Sequence, residues 1–223
     1  MRAACFMFAA AVAVLVSAAL GQSAPASIPV VLVDFSNPDN TPMHWTLILH
    51  RDGSGHFQSQ LGKPQADELH EMGAPGVDRD IQVSAEFAGR VFLAAQQHNW
   101  FNQNCESHLK VAFQGWKKLS YSGPQGQGSC TFNYSRDKEI QALGDSLVGV
   151  AETLREGARL EMLLQHDRLG LDKEMEYIVE ASKDGRLRQV CTISGILERL
   201  AGDEEVLDRV RRRARFLLAH PGT

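Results

Sequence analysis

Residues 100–134 read WFNQNCESHLKVAFQGWKKLSYSGPQGQGSCTFNY. Three short runs inside this stretch alternate between apolar and polar positions. Leu109, Val111 and Phe113 alternate with His108, Lys110 and Ala112; Leu119 and Tyr121 alternate with Lys118 and Ser120; Cys130, Phe132 and Tyr134 alternate with Thr131 and Asn133. A period of two marks strands with one buried and one wet face. Gln114-Gly115 and the run Gly123-Pro124-Gln125-Gly126-Gln127-Gly128 supply the reversals, because Gly and Pro meet turn dihedrals that other residues resist. The stretch therefore predicts a three-stranded antiparallel meander. Cys105 precedes it and Cys130 lies in its last strand.

Upstream, residues 28–35 read as a strand, and Ser36-Asn37-Pro38-Asp39-Asn40 as a loop. Residues 43–50 form the next strand, with Trp45, Leu47 and Leu49 on one face and His44, Thr46, Ile48 and His50 on the other. Arg51-Asp52-Gly53-Ser54-Gly55 is a hairpin turn, and residues 56–61 return from it. Residues 62–79 read as a polar loop. Ser84 can cap a helix that carries Glu86 in its first turn and buries Phe87, Val91 and Ala95, joined by Phe92 and Ala94.

Downstream of Tyr134 the period changes. Ile140, Leu143, Leu147, Val150 and Leu154 recur at steps of three and four, which is a helix with a narrow apolar seam. Gly157 is expected to break it. Helical patterns follow at 173–182, 187–200 and 203–219, punctuated by Asp184-Gly185 and Gly202-Asp203. Strands first and helices last is the α+β order. The expected architecture is an antiparallel sheet, made of a hairpin plus the three-stranded meander, with a packed helix, followed by a C-terminal helical region. The expected units are a sheet-plus-helix domain over 28–156 and a helical appendage over 157–223. The seam of the helix from Lys138 is expected to pack on the sheet.

The first 21 residues read as a signal peptide. Arg2 precedes an apolar run, and Ala19-Leu20-Gly21 places small residues at the −3 and −1 positions of a cleavage site. The run is also close to the length of a membrane span, so contact with a membrane is expected only if this segment stays uncleaved. Cys5 lies too early to be a lipoprotein acceptor. Export to the periplasm or the extracellular space permits a disulfide. Cys105 and Cys130 both belong to the meander and are paired on that ground; closing such a loop contributes about 3 kcal/mol in the chain-entropy model. Cys191 falls in a helical pattern and is expected to be a buried free thiol. A formal net charge of −4 argues against a general nucleic-acid binder.

The order Asp52-Gly53, Val83-Ser84-x-Glu86, Trp100-Phe101 and then the meander resembles a family of small secreted bacterial proteins classed as a domain of unknown function. The likeness spans roughly residues 43–150. Members often carry a Gly/Cys-Pro turn before the first hairpin strand, whereas this chain has Asp34-Phe35-Ser36-Asn37-Pro38, without Cys. The resemblance implies an exported sheet-plus-helix module and implies no activity, substrate or catalytic residue.

Candidate chemistry is sparse. His44, His50 and His56 share the outward parity, and imidazoles can bind Zn²⁺ or Cu²⁺, but a structural site needs about four ligands and a catalytic one about three plus water. Exposed polar strand positions account for the pattern equally well. Cys130 shares parity with Phe132 and Tyr134, so its sulfur is expected to face the core rather than to act as a nucleophile. Acids at Asp203, Glu204, Glu205 and Asp208, and bases at Arg209, Arg211, Arg212, Arg213 and Arg215, follow the helix dipole. Trp45 shares parity with Leu47 and Leu49 and reads as core, while Trp116 sits beside a turn and can be exposed. The chain holds no His-Glu-x-x-His, Gly-x-Ser-x-Gly, phosphate-binding Gly-rich loop or Cys-x-x-Cys, and no cofactor is expected. The expectation is a non-enzymatic binding or interaction module whose partner is a protein or another envelope component. The alternative is a secreted hydrolase using polar residues near the Cys105–Cys130 meander.

Overall fold

A computed structural model describes residues 28–40, 42–60 and 76–220. The signal-peptide reading of residues 1–21, and most of the loop read at 62–79, lie outside these described residues.

Six strands form one antiparallel sheet in the order β4-β3-β2-β1-β5-β6. They are β1 (Val30–Ser36), β2 (His44–His50), β3 (Ser54–Gln60), β4 (Asp78–Gln82), β5 (Trp116–Gly123) and β6 (Gly126–Phe132). β1 and β2 each alternate strictly between half-buried and buried side chains. Val31, Val33 and Phe35 face inward beside Trp45, Leu47 and Leu49, as the period-two reading requires. The β2–β3 turn depends on Gly53, whose φ of 87° is a left-handed conformation open to Gly at little cost.

The C-terminal region is helical, as expected for α+β. Helix α1 (Ala85–Gln97) starts where the Phe87 amide donates to Ser84 Oγ at 3.2 Å. It lays Phe87, Ala88, Val91, Phe92 and Ala95 on the inner face of the sheet. Helix α2 (Lys138–His166) joins the same core through Ile140, Leu143, Leu147, Val150 and Leu154. Helices α3 (Gly170–Lys183), α4 (Ser194–Gly202) and α5 (Asp208–Ala219) build a second core with the end of α2. The first core reaches Ala158 and the second begins at Leu160, so the two meet along α2.

Three elements differ most from the sequence reading, beside later starts for the helices read at 187–200 and 203–219, which begin as a 3-10 turn at Val190 and as α5 at Asp208. Residues 108–113 form no strand: both flanks of β5 are occupied, by β1 on one side and β6 on the other. The meander is a two-stranded hairpin, and the alternating Leu109, Val111 and Phe113 stand in a loop with no ladder to join. A fourth strand, β4, emerges at the end of what reads as a loop; its inward residue is Ile81, continued by Val77 and Val83 just outside it. Gly157 does not break the helix. α2 runs through it, and the missing side chain makes room for Ile193.

Between α1 and β5 the chain makes a left-handed turn. Asn99, Trp100 and Phe101 have φ of 51°, 57° and 63°. Each such residue costs roughly 1–2 kcal/mol. Burial of Phe101 and stacking of Trp100 on Tyr121, with centroids 4.5 Å apart, offset that cost.

Candidate functional site

The segment between the left-handed turn and β5 is held at its base by one residue. Asn133, just past β6, is buried and uses all its polar groups. Its amide N–H donates to Glu106 Oε2 at 2.7 Å, and its Oδ1 accepts the Gln114 amide at 2.7 Å. Its Nδ2 donates to the Ala112 carbonyl at 3.2 Å, and its own carbonyl accepts Lys117 Nζ at 3.0 Å. Next to it the Ser107 amide donates to the Tyr134 carbonyl at 2.9 Å. The Cys105–Cys130 disulfide, with Cα atoms 5.6 Å apart, ties the same segment to β6. Cys130 therefore has no free thiol.

Glu106 closes the base from the other side. Burial pushes its carboxyl up, but the Asn133 and His108 amides and the Ser107 hydroxyl outweigh this and hold it below the usual carboxylate range. Lys117, also buried, lies 5.4 Å over the Phe132 ring; burial lowers its pKa, against the opposing pull of Asp145 and Glu106. Gly115, at φ 109°, packs against the Phe35 ring where a Cβ would collide.

On this fixed base all seven residues 108–114 are exposed. Leu109, Val111 and Phe113 are 46%, 42% and 44% exposed, and Trp116 is 44% exposed. The rings of Phe113 and Trp116 meet edge to face at 5.8 Å. Trp116 flanks Ser36 in the sheet with His44 on the other side, and the exposed Met43 precedes His44. One end of the sheet thus gathers apolar side chains that a soluble surface normally scatters.

The three histidines do lie on the outward face. His44 Nε2 is 3.2 Å from Asp34, and His56 sits between Asp78 at 3.0 Å and Asp80 at 2.9 Å. The hydrogen bond that the His56 imidazole donates to Asp80 raises the His56 pKa, with Asp78 adding to it against desolvation. They do not converge: His56 is opposite Ile48, and His50 is paired with Val30. Among the described residues no three His, Cys, Asp or Glu side chains are placed to hold a metal ion.

The arginines of α5 are engaged internally. Arg209 and Arg213 pair with Asp172, Arg211 and Arg212 with Asp208, and Arg215 donates to the Ala201 carbonyl at 3.1 Å. Cys191 is a free thiol, half-buried in a short 3-10 turn, Val190–Ile193, and burial raises its pKa.

One further region is absent from the sequence reading. Between α2 and α3 a cleft of about 380 Å³ is lined by Glu156, Arg159, Lys173, Glu174 and Tyr177 among others. Burial, then the hydrogen bond and charge of Glu174, push Glu156 up to about 8, so the pair holds a proton at neutral pH. Arg159 Nε lies 2.7 Å from Glu174. The two carboxyls come from helices whose mutual placement no local sequence pattern encodes.

No protein-family model matches the chain, and no curated protein does.

Proposed function

We propose that this protein is an exported, non-enzymatic interaction module of the cell envelope, and that its contact surface is the segment 106–116 with its apolar tips. The observation that carries this reading is the cluster of Leu109, Val111, Phe113 and Trp116, four exposed apolar side chains within eight residues on a loop fixed at both ends. Ordering that precedes contact lowers the entropic cost of docking. The intramolecular disulfide, and the lack of any helix among the described residues long and apolar enough to cross a membrane, are compatible with an exported domain.

Side-chain footprinting tests the reading. Phe113 and Trp116 are expected to react with a carbene or hydroxyl-radical label in the purified protein and to be protected in the cells that make it. Equal labelling in both settings would end it.

A second reading, a secreted hydrolase, draws on the α2–α3 cleft rather than on the neighbourhood of the disulfide. There Glu156, protonated at neutral pH, has the form of a general acid beside Glu174. The expected signature is turnover of an ester, glycoside or peptide probe that Glu156→Gln abolishes. Near the disulfide, by contrast, Glu106 spends its carboxylate on backbone amides and a hydroxyl.

A further inference from the structure

The exposed loop lies in a stretch of the chain that carries bases and no acid. From Ser107 through Arg136 the sequence contains no Asp or Glu, while it contains Lys110, Lys117, Lys118 and Arg136, in a protein of net charge −4. Lys117 is buried, but Lys110, Lys118, Arg136 and His108 are exposed. Lys118 stands opposite Asp34 across the β1–β5 ladder, so Lys110 and Arg136 are the freest of these charges. The adjoining loop after β1 adds one acid, Asp39.

The backbone of the loop narrows the choice of occupant. A peptide that adds as a strand needs a row of free amides and carbonyls. Here the amides of His108, Leu109, Val111 and Gln114 are taken, by Glu106, Ser107 Oγ, the Leu109 carbonyl and Asn133 Oδ1. A segment with four of its seven amides satisfied internally loses less on entering a poorly hydrated medium than one with all of them free. Apolar tips, an aromatic pair that includes Trp, and Lys stems that reach past the apolar zone are the composition suited to a lipid–water interface.

We infer that the tips of the segment 108–116 insert into the interface of an anionic lipid bilayer, with Lys110 and Arg136 facing the headgroups. This rests on the loop being the contact surface and names its occupant. The contact is distinct from any anchor at the N-terminus. Val30 pairs with Ser122 and Ser36 with Trp116, so the chain enters β1 at the end of the sheet away from the loop. A seven-residue strand separates the two ends by about 20 Å.

The test is co-sedimentation of the purified protein with vesicles of phosphatidylcholine alone, and of phosphatidylcholine with phosphatidylglycerol. Wild type and variants share whatever N-terminus they carry, so differences between them report the loop. The protein is expected to bind the anionic vesicles, more weakly at high salt, with a blue shift in Trp emission. Phe113→Ser with Trp116→Ser should weaken binding about tenfold or more at unchanged melting temperature, and Lys110→Gln about fivefold. Equal binding to neutral and anionic vesicles, or no effect of the loop substitutions, overturns the inference. If neither vesicle binds while Phe113 and Trp116 remain protected in cells, the contact surface stands and its occupant is a protein.

Discussion

Asn133 shows how far one side chain can organise a surface without touching a ligand. It accepts the Gln114 amide and donates to the Ala112 carbonyl, at the end of the apolar loop, while its backbone holds Glu106 and Lys117. In Asn133→Ala the Gln114 amide and Ala112 carbonyl lose their partners, and a cost of about 1–3 kcal/mol is expected from urea unfolding. Because Ser107 and the disulfide still pin the near end, amide exchange should rise first at residues 112–115. The histidines call for the opposite outcome. His44, His50 and His56 are half-buried on the outward face, so replacing all three by Ala should stay within about 0.5 kcal/mol each and leave the fold intact. Leu47, fully buried on the other face, should cost about 2–5 kcal/mol when changed to Ala. If the triple variant unfolds while Leu47→Ala does not, the register of β2 is reversed. The His56 charge adds a pH signature. Its raised pKa gives a stabilisation present below the unfolded His range and lost as pH rises through the folded value, visible in its imidazole shifts. The disulfide and the facing of Trp45 were legible in sequence, the first from the placement of both cysteines around one stretch of strands and the second from parity. The hub at Asn133 was not, because its partners come from both ends of a loop whose path no local pattern fixes.

At the scale of elements, alternation reported environment more faithfully than it reported pairing. It located β2, β5 and β6, whose inward rows are buried. The same alternation over Leu109, Val111 and Phe113 describes a loop, since a period of two records spacing along the chain and says nothing of a vacant ladder. β4 went unseen for the converse reason: its ladder exists, but Asp78, Arg79, Asp80 and Gln82 surround Ile81. The uninterrupted course of α2 is a third case. Gly is costly in a helix, yet Gly157 is retained where Ile193 seats against it. Gly157→Ala gains about 1 kcal/mol of helix propensity and forces the added methyl into Ile193, at a cost of about 1–3 kcal/mol. A net fall in melting temperature is expected. A rise would mean that the turn carrying Ile193 moves away freely.

Across the whole molecule, the two cores are fastened by polar contacts as well as by α2. Arg79 of β4 makes a two-pronged pair with Glu161 of α2, at 2.8 and 3.2 Å. Gln189 Oε1 accepts the amide of Ser84, just ahead of α1, at 2.8 Å. Thr153 Oγ1 accepts the Arg188 amide at 3.0 Å and lies 2.7 Å from its carbonyl. These contacts make the helical region part of the folding unit's response to pH, and Glu156 is the group that should dominate it. Unfolded, Glu156 titrates near its ordinary value of 4.5; folded, burial and Glu174 hold it at about 8. Below the lower value the carboxyl is protonated in both states, and the pair costs nothing. Between the two values the native state binds a proton that the unfolded chain has released, so stability falls as pH rises, by at most about 1.4 kcal/mol per unit. Above pH 8 the penalty is complete. Glu156→Gln keeps a donor facing Glu174 and cannot ionise, so it should match wild type near pH 4 and exceed it by a margin that grows with pH to at most about 5 kcal/mol at pH 9. Urea unfolding at pH 4, 6.5 and 9 measures the difference directly. A gap that stays constant across the three would show that no proton is shared between Glu156 and Glu174, and with it would go the basis for a general acid in the cleft.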